Sequence, residues 1–359
     1  MTSMFEPLTF RHGPPIKNRF VLAPLTNLQS HKDGTLSDEE FHWLTMRAQG
    51  GFGLTMTCAS HVQEQGLGFP GQLGCFDDRH IRGLTRLATA IRKENSLAVV
   101  QLHHAGMRSP EAFIGRKPVC PSDNEETGAR GLSLTEVEQL AEDFIAAAVR
   151  CEKAGFDGVE LHGAHGYMLC QFLSADINKR TDRYGGDLWS RARIFFDIIK
   201  GIRQRCKPTL NLGIRLSPER FGMKLAEVKE LAQRLMNEGE VDYIDMSLWD
   251  VFKEPEEAEH KGKTLLAHFV ELKRGQVRLG AAGKIMSAEQ VRTALSQGMD
   301  FVLLGRAAIL HHDYPRLAEK NRNFTPIALP VSEAHLQKEG LSPAFLNYMK
   351  TWKGFVTEA

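Results

Sequence analysis

Eight short apolar runs, helical patterns between them, and no Gly-x-Gly-x-x-Gly after an early run together predict an α/β protein closed into a (β/α)8 TIM barrel. The runs cover residues 19–25, 52–60, 97–103, 156–163, 210–217, 243–248, 277–283 and 300–306. Most are rich in β-branched or aliphatic side chains and bounded by Gly, Asn, Asp or Pro, as strands buried on both faces are. After the first run, Ser37 stands three residues before Glu40, the spacing of a capped helix start. Gly50 and Gly51 precede the second run and read as a helix C-cap, not as a phosphate loop. Residues 134–153 carry Val137, Leu140, Ala141, Phe144, Ala147, Ala148 and Cys151 at helical spacing. Residues 190–204, 224–238 and 287–297 behave similarly. Gly155, Gly239 and Gly298 stand just before a run, where a C-cap is expected.

Two long excursions, 104–133 and 164–189, follow the third and fourth runs. Excursions of that length in a compact domain are usually lids or binding walls. No Ser/Gly/Pro linker or low-complexity stretch interrupts the chain, so one domain is expected over residues 1–359. A tail from about residue 319 is expected to wrap either the barrel or a neighbouring subunit, which allows for a homo-oligomer.

Composition narrows the function. The chain is 42% hydrophobic and 25% charged, enough apolar material for a large core. A formal net charge of +1 points to neither a nucleic-acid nor a membrane-surface partner. Residues 1–10 lack a basic region followed by an apolar run, so no secretory signal is expected. No stretch approaches the ~20 apolar residues of a membrane span. Cys58, Cys75, Cys120, Cys151, Cys170 and Cys206 are scattered without a Cys-x-x-Cys pair. That argues against structural zinc or an iron–sulfur cluster, and for free thiols in a reducing cytoplasm.

In a barrel, the chemistry lies where strands end. Those ends carry Ala23-Pro24-Leu25-Thr26, Ala59-Ser60, Gln101-Leu102-His103-His104, then His162, His165 and Tyr167. Arg215, Ser247, Trp249, Gly280-Ala281-Ala282-Gly283 and Gly305-Arg306 complete the set. The last two ends are small residues followed by helix starts, the geometry that binds phosphate, with Arg306 available for a charged contact. Glycines that merely permit tight turns are the alternative there. Arg215 lies inside an apolar strand and needs an anionic or acceptor partner. Gln101 offers a donor and an acceptor in one plane, either to a planar heterocycle at the barrel mouth or to loop backbone. His162 and His165 lack the spacing and the nearby carboxylate or cysteine of a metal site, so no metal is expected. Two imidazoles can instead donate to a carbonyl or phenolate oxygen, and the Tyr167 phenol can deliver a proton.

These residues carry a resemblance. The motifs are Asn18-Arg19-Phe20 with Ala23-Pro24-Leu25-Thr26, residues 101–108 from Gln101 to Arg108, and His162-Gly163-Ala164-His165-Gly166-Tyr167. Phe172-Leu173-Ser174, residues 178–186 from Asn178 to Gly186, Arg215 and Leu304-Gly305-Arg306 extend them. The sequence resembles the old yellow enzyme family of FMN-dependent ene-reductases over about residues 5–320. The resemblance implies FMN contacts from Ala23, Pro24, Leu25, Thr26, Ala59, Gln101, His162, Arg215, Gly283, Gly305 and Arg306. It implies that His162 and His165 bind the substrate's electron-withdrawing oxygen and that Tyr167 is the proton donor. Arg215 would lie at the flavin N1/O2 edge, while Arg180 and Asp182 would organise their loop. The implied reaction takes electrons from NAD(P)H and delivers them to an activated alkene, an enone or nitroalkene. Thr26 stands where the bacterial branch often has cysteine, and Leu28 where it often has an aromatic residue. That branch also lends an arginine near the C-terminus to a neighbouring site; here the tail reads Met349-Lys350-Thr351-Trp352-Lys353. Larger relatives of this barrel add an iron–sulfur cluster and nucleotide domains, for which the chain lacks cysteines and length. A flavin-binding sensor or carrier without ene-reductase activity is the alternative reading.

Overall fold

The computed structural model describes residues 3–357. Eight parallel strands close into a barrel: Phe20–Leu22, Leu54–His61, Leu97–His103, Gly158–Gly163, Asn211–Leu216, Tyr243–Ser247, Arg278–Ala282 and Phe301–Leu304. Each pairs with its sequence neighbours in the barrel, and the eighth pairs with the first. All eight predicted runs are therefore strands of one sheet.

The register aligns Gln101 with Glu160, His162 with Arg215, and Arg215 with Asp245. Side chains alternate faces with period two, so these residues share one face of the sheet. The first strand is shorter than the run that predicts it. Ala23 still donates to Leu304 O, at 3.1 Å, but Pro24 has no N–H to continue the ladder. The chain leaves the barrel there, and residues 24–30 become a loop.

The helix Leu134–Lys153 matches its predicted bounds, with a capping box between Ser133 and Glu136. Its predicted stripe is buried and gains Ile145. Each buried Leu, Ile, Val or Phe contributes roughly 1.5–3 kcal/mol. The next long helix starts two residues before its prediction, at Leu188, because Asp187 accepts from Ser190 N. Gly239 caps its helix in the left-handed conformation, at φ +66°. Gly155 and Gly298 also have positive φ, one residue beyond their caps.

Ser37 caps the helix Asp38–Gln49 by accepting from Glu40 N at 3.0 Å. The Glu40 side chain does not complete a capping box. It is fully buried, where Asn27 donates to it at 3.0 Å and the Ser30 hydroxyl also donates. The first helix is thus tied to the loop that carries Thr26.

The two long excursions are fastened to each other. Residues 104–133 hold a short two-stranded sheet, Val119–Cys120 with Arg130–Gly131. Arg180, in the second excursion, pairs with Asp182 at 2.5 Å and donates to Pro121 O at 2.7 Å. Arg180 and Asp182 therefore do organise their loop.

The tail packs against its own barrel through the helices Glu333–Lys338 and Pro343–Lys350. Phe345 meets Trp43 edge-on at 5.4 Å, Ser342 N donates to Gln29 Oε1 at 3.1 Å, and His312 pairs with Glu339 at 2.8 Å. The six cysteines are free and buried. Among the described residues no helix is long and apolar enough to cross a membrane.

Candidate active site

A cavity of about 540 Å³ opens at the C-terminal ends of the strands. Every residue that the resemblance assigns to the site lines it: Ala23, Pro24, Leu25, Thr26, Ala59, Gln101, His162, His165, Tyr167, Arg215, Gly283, Gly305 and Arg306. Walls that the sequence did not predict include Phe69, Phe221, Tyr348, Met349 and Trp352. The last three bring the C-terminal tail to the mouth of its own site. Ser247 and Trp249, noted only as strand-end residues, also line the cavity.

The floor is a buried polar group. Arg215 meets Asp245 of the neighbouring strand at 3.0 Å, both buried. This is the anionic partner that Arg215 required. The contact is an ion pair out of line for a hydrogen bond, since Arg215 Nε and both Asp245 oxygens lack a hydrogen-bond partner. Beside it, Gln101 Nε2 donates to Glu160 Oε1 at 2.7 Å, and Glu160 Oε2 has no partner. Burial, then the charge of Asp245, pushes the Glu160 carboxyl up to about 8, against the pull of Arg215 and Gln101. Burial pushes Asp245 up to about 6, with Arg215 opposing. Glu160 therefore holds its proton to higher pH than an ordinary carboxyl, and more firmly than Asp245, whose rise the Arg215 guanidinium opposes.

The upper wall holds the imidazoles and the phenol. His162 and His165 have ring centroids 5.0 Å apart, and His162 Nε2 lies 3.3 Å from His165 Nδ1. His165 Nε2 lies 2.6 Å from Ser247 Oγ. His162 Nδ1 is buried without a partner. Burial drives His162 well below the ordinary imidazole range and His165 down to about 3, with nearby cations adding to both shifts. Both rings are neutral at physiological pH, each with one donor and one acceptor nitrogen. His165 has positive φ, +62°, a conformation rare for a side-chain-bearing residue. Ser217 Oγ accepts from its N–H at 3.0 Å, and its carbonyl accepts from Arg108.

Tyr167 is half-buried between His162, at 5.3 Å between centroids, and His103, at 4.4 Å. Burial raises its phenol above the ordinary value, Arg108 lowers it, and Tyr348 raises it further. His104 is structural: its Nδ1 accepts from Gly106 N at 3.0 Å and its Nε2 lies 3.1 Å from Gln63 Oε1.

One cluster away from the cavity has metal-ligand residue types. His311, His335 and Glu339 bring ligand atoms within 4.8 Å of one another. However, His311 Nε2 accepts from Ile327 N at 3.0 Å. A neutral imidazole that accepts at one nitrogen carries its proton on the other, so His311 has no lone pair left to bind a metal.

The cavity's chemistry fits a flavin mononucleotide. Its volume lies in the ~300–1,000 Å³ range of small-molecule sites. Ala23, Ala59, Ala282, Gly283 and Gly305 leave a slot without bulky side chains. At the eighth strand's end, Gly305 precedes the helix Arg306–Leu310, whose first N–H groups have no intrahelical acceptor. Arg306 and Lys284 supply positive charge on that side, and the floor has unpartnered buried polar atoms.

A barrel with this slot, a buried guanidinium and neutral imidazoles at its strand ends defines a flavin-dependent oxidoreductase. The chain belongs to the NADH:flavin oxidoreductase / NADH oxidase family, whose model matches residues 3–325. It shares this family with the old yellow enzymes; the family binds FMN and uses NAD(P)H. The chain is 35% identical over 330 residues to the probable NADH-dependent flavin oxidoreductase YqiG of Bacillus subtilis, covering 89% of this chain and 88% of that protein. It is 31% identical to an NADPH dehydrogenase of Bacillus cytotoxicus, covering 90% and 94%. Against the longer NADH:fumarate oxidoreductase of Klebsiella pneumoniae it is 32% identical, over 87% of this chain but only 35% of that protein. The old yellow enzyme homologue from Zymomonas mobilis superposes with a TM-score of 0.80 at 25% identity, covering 97% and 99%.

Proposed function

We propose that this FMN- and NAD(P)H-dependent oxidoreductase is an ene-reductase acting on α,β-unsaturated carbonyl or nitro compounds. The observation that carries the proposal is the neutral pair His162 and His165 beside Tyr167, in one cavity with the small-residue slot.

FMN, when bound, supplies hydride chemistry, accepting two electrons from NAD(P)H and passing them to a substrate. Ala23, Pro24, Leu25, Thr26, Ala59, Gln101, His162, Arg215, Gly283, Gly305 and Arg306 would hold it. His162 and His165 would donate to the carbonyl or nitro oxygen, where negative charge grows as the β-carbon is reduced. Both rings are neutral; Ser247 holds the His165 ring and Ser217 its backbone N–H, and the His162–His165 contact would open as both N–H groups turn to the substrate oxygen. Tyr167 would protonate the α-carbon. The aromatic wall of Phe69, Tyr348 and Trp352 would help exclude water.

The test is anaerobic and has two halves. The holoprotein is reduced with NADPH or NADH and then mixed with 2-cyclohexenone. Rapid return of the oxidised flavin spectrum, with cyclohexanone formed, supports the proposal. Reoxidation by oxygen alone favours a flavin carrier or sensor.

A further inference from the structure

Protonation of the α-carbon creates an electrostatic demand in the cavity. The Tyr167 O–H bond breaks and a C–H bond forms with the electron pair of the enolate. Tyr167 is left as a phenolate until solvent reprotonates it. An anion in a half-buried site is costly without a compensating charge. The titratable or charged groups facing Tyr167 are His103, His162, Tyr348 and Arg108. The two imidazoles are held neutral by burial. Arg215, deeper in the barrel, is already paired with Asp245. Arg108 is the cation left.

We propose that Arg108 is the residue that makes Tyr167 an effective acid, by holding a positive charge against the phenol ring as it loses its proton. The Arg108 guanidinium carbon lies 4.5 Å from the Tyr167 ring centroid. Among the described residues no carboxylate comes within 4.0 Å of it. Arg108 is exposed, so solvent screens its charge in part, but no carboxylate neutralises it. One N–H is committed to His165 O, so the same side chain also steadies the strained turn between His162 and Tyr167.

The backbone fixes this arrangement from both sides. Arg108 ends the 3-10 turn Gly106–Arg108, and Tyr167 precedes the helix Met168–Leu173. Gln171 joins the two: its Nε2 donates to Gly166 O at 2.8 Å and Ala105 O at 3.2 Å, and its Oε1 accepts from Met107 N at 3.2 Å. Gly106 has φ +64°, and a Cβ there would come within 2.2 Å of Gln171 Oε1. The left-handed backbone favours glycine, and a side chain there would push the Gln171 amide out of its bonds to the two segments.

This inference rests on the ene-reductase reading. Its test compares Arg108→Gln and Arg108→Lys with the native holoprotein in the two half-reactions. Arg108→Gln is expected to slow reoxidation by 2-cyclohexenone roughly tenfold, a part of the roughly 10²–10⁴-fold that a general acid supplies. Reduction by NADPH is expected to change far less. The basic limb of the alkene half-reaction should move to higher pH, because losing the cation raises the Tyr167 pKa. The slowdown on transfer to D2O should grow, and Arg108→Lys should restore most of the rate. If Arg108→Gln loses FMN, Arg108→Met is measured in the same way. An unchanged alkene half-reaction, or equal slowing of both halves with no movement of the pH limb, overturns the inference. A native protein that cannot reduce the enone overturns the ene-reductase reading instead.

Discussion

Replacing Glu160 with Gln should make the protein more stable than the native chain as pH rises. Glu160 is fully buried, and its folded carboxyl is pushed from 4.5 to about 8. The folded state therefore binds that proton more tightly than the unfolded state. Its stabilising contribution is full below about 4.5 and is lost as pH rises through about 8. One pKa unit is worth about 1.4 kcal/mol, so the native chain loses on the order of a few kcal/mol across this window. Glutamine keeps the shape, still accepts from Gln101, and does not titrate. Urea unfolding of both proteins between about pH 5 and pH 8 measures the difference. The stability gap should open toward glutamine by about 3 kcal/mol over that range. A gap that stays constant would show that Glu160 is ionised in the folded protein, and would refute the account of the barrel floor.

The remaining predictions follow from the same cavity. Asp245→Asn leaves Arg215 buried without its counter-ion; calorimetry near neutral pH should show destabilisation of about 3–5 kcal/mol, and no loss would mean that Arg215 finds other compensation. Tyr167→Phe should leave reduction by NADPH nearly intact and slow enone reduction by roughly 10²–10⁴-fold in stopped flow; equal loss in both halves would make Tyr167 structural. Replacing both His162 and His165 with Ala should abolish the long-wavelength absorbance that 4-hydroxybenzaldehyde induces in the holoprotein, because two N–H donors favour bound phenolate. An undiminished band at unchanged affinity would exclude the pair as the oxyanion site.

The barrel was legible because its signals are local. Strand runs, the Ser37 cap and the glycines before strands are written in adjacent residues. The strand-end chemistry was legible for a related reason: a barrel gathers its strand ends at one mouth, so Gln101, His162, Arg215 and Arg306 meet without further information. What was missed depends on tertiary placement. Arg215 announced a need for an anion, but only the strand register identifies Asp245. Glu40 has capping-box spacing, yet Asn27 and Ser30 draw its carboxylate inward. The helix Pro343–Lys350 shows an apolar face in sequence, but where it docks follows from Trp43 and Gln29, some 300 positions away. Tyr348, Met349 and Trp352 therefore entered the site unannounced.

The most direct test of the central claim is isotopic. The holoprotein is given 2-methylcyclohexenone and NADPH carrying deuterium at the transferable C4 position, in ordinary water, and the product is read by NMR. The account predicts deuterium at the β-carbon and solvent hydrogen at the α-carbon, with the second step slowed in Tyr167→Phe. Deuterium at the α-carbon, or flavin that NADPH reduces but no alkene reoxidises, would contradict it.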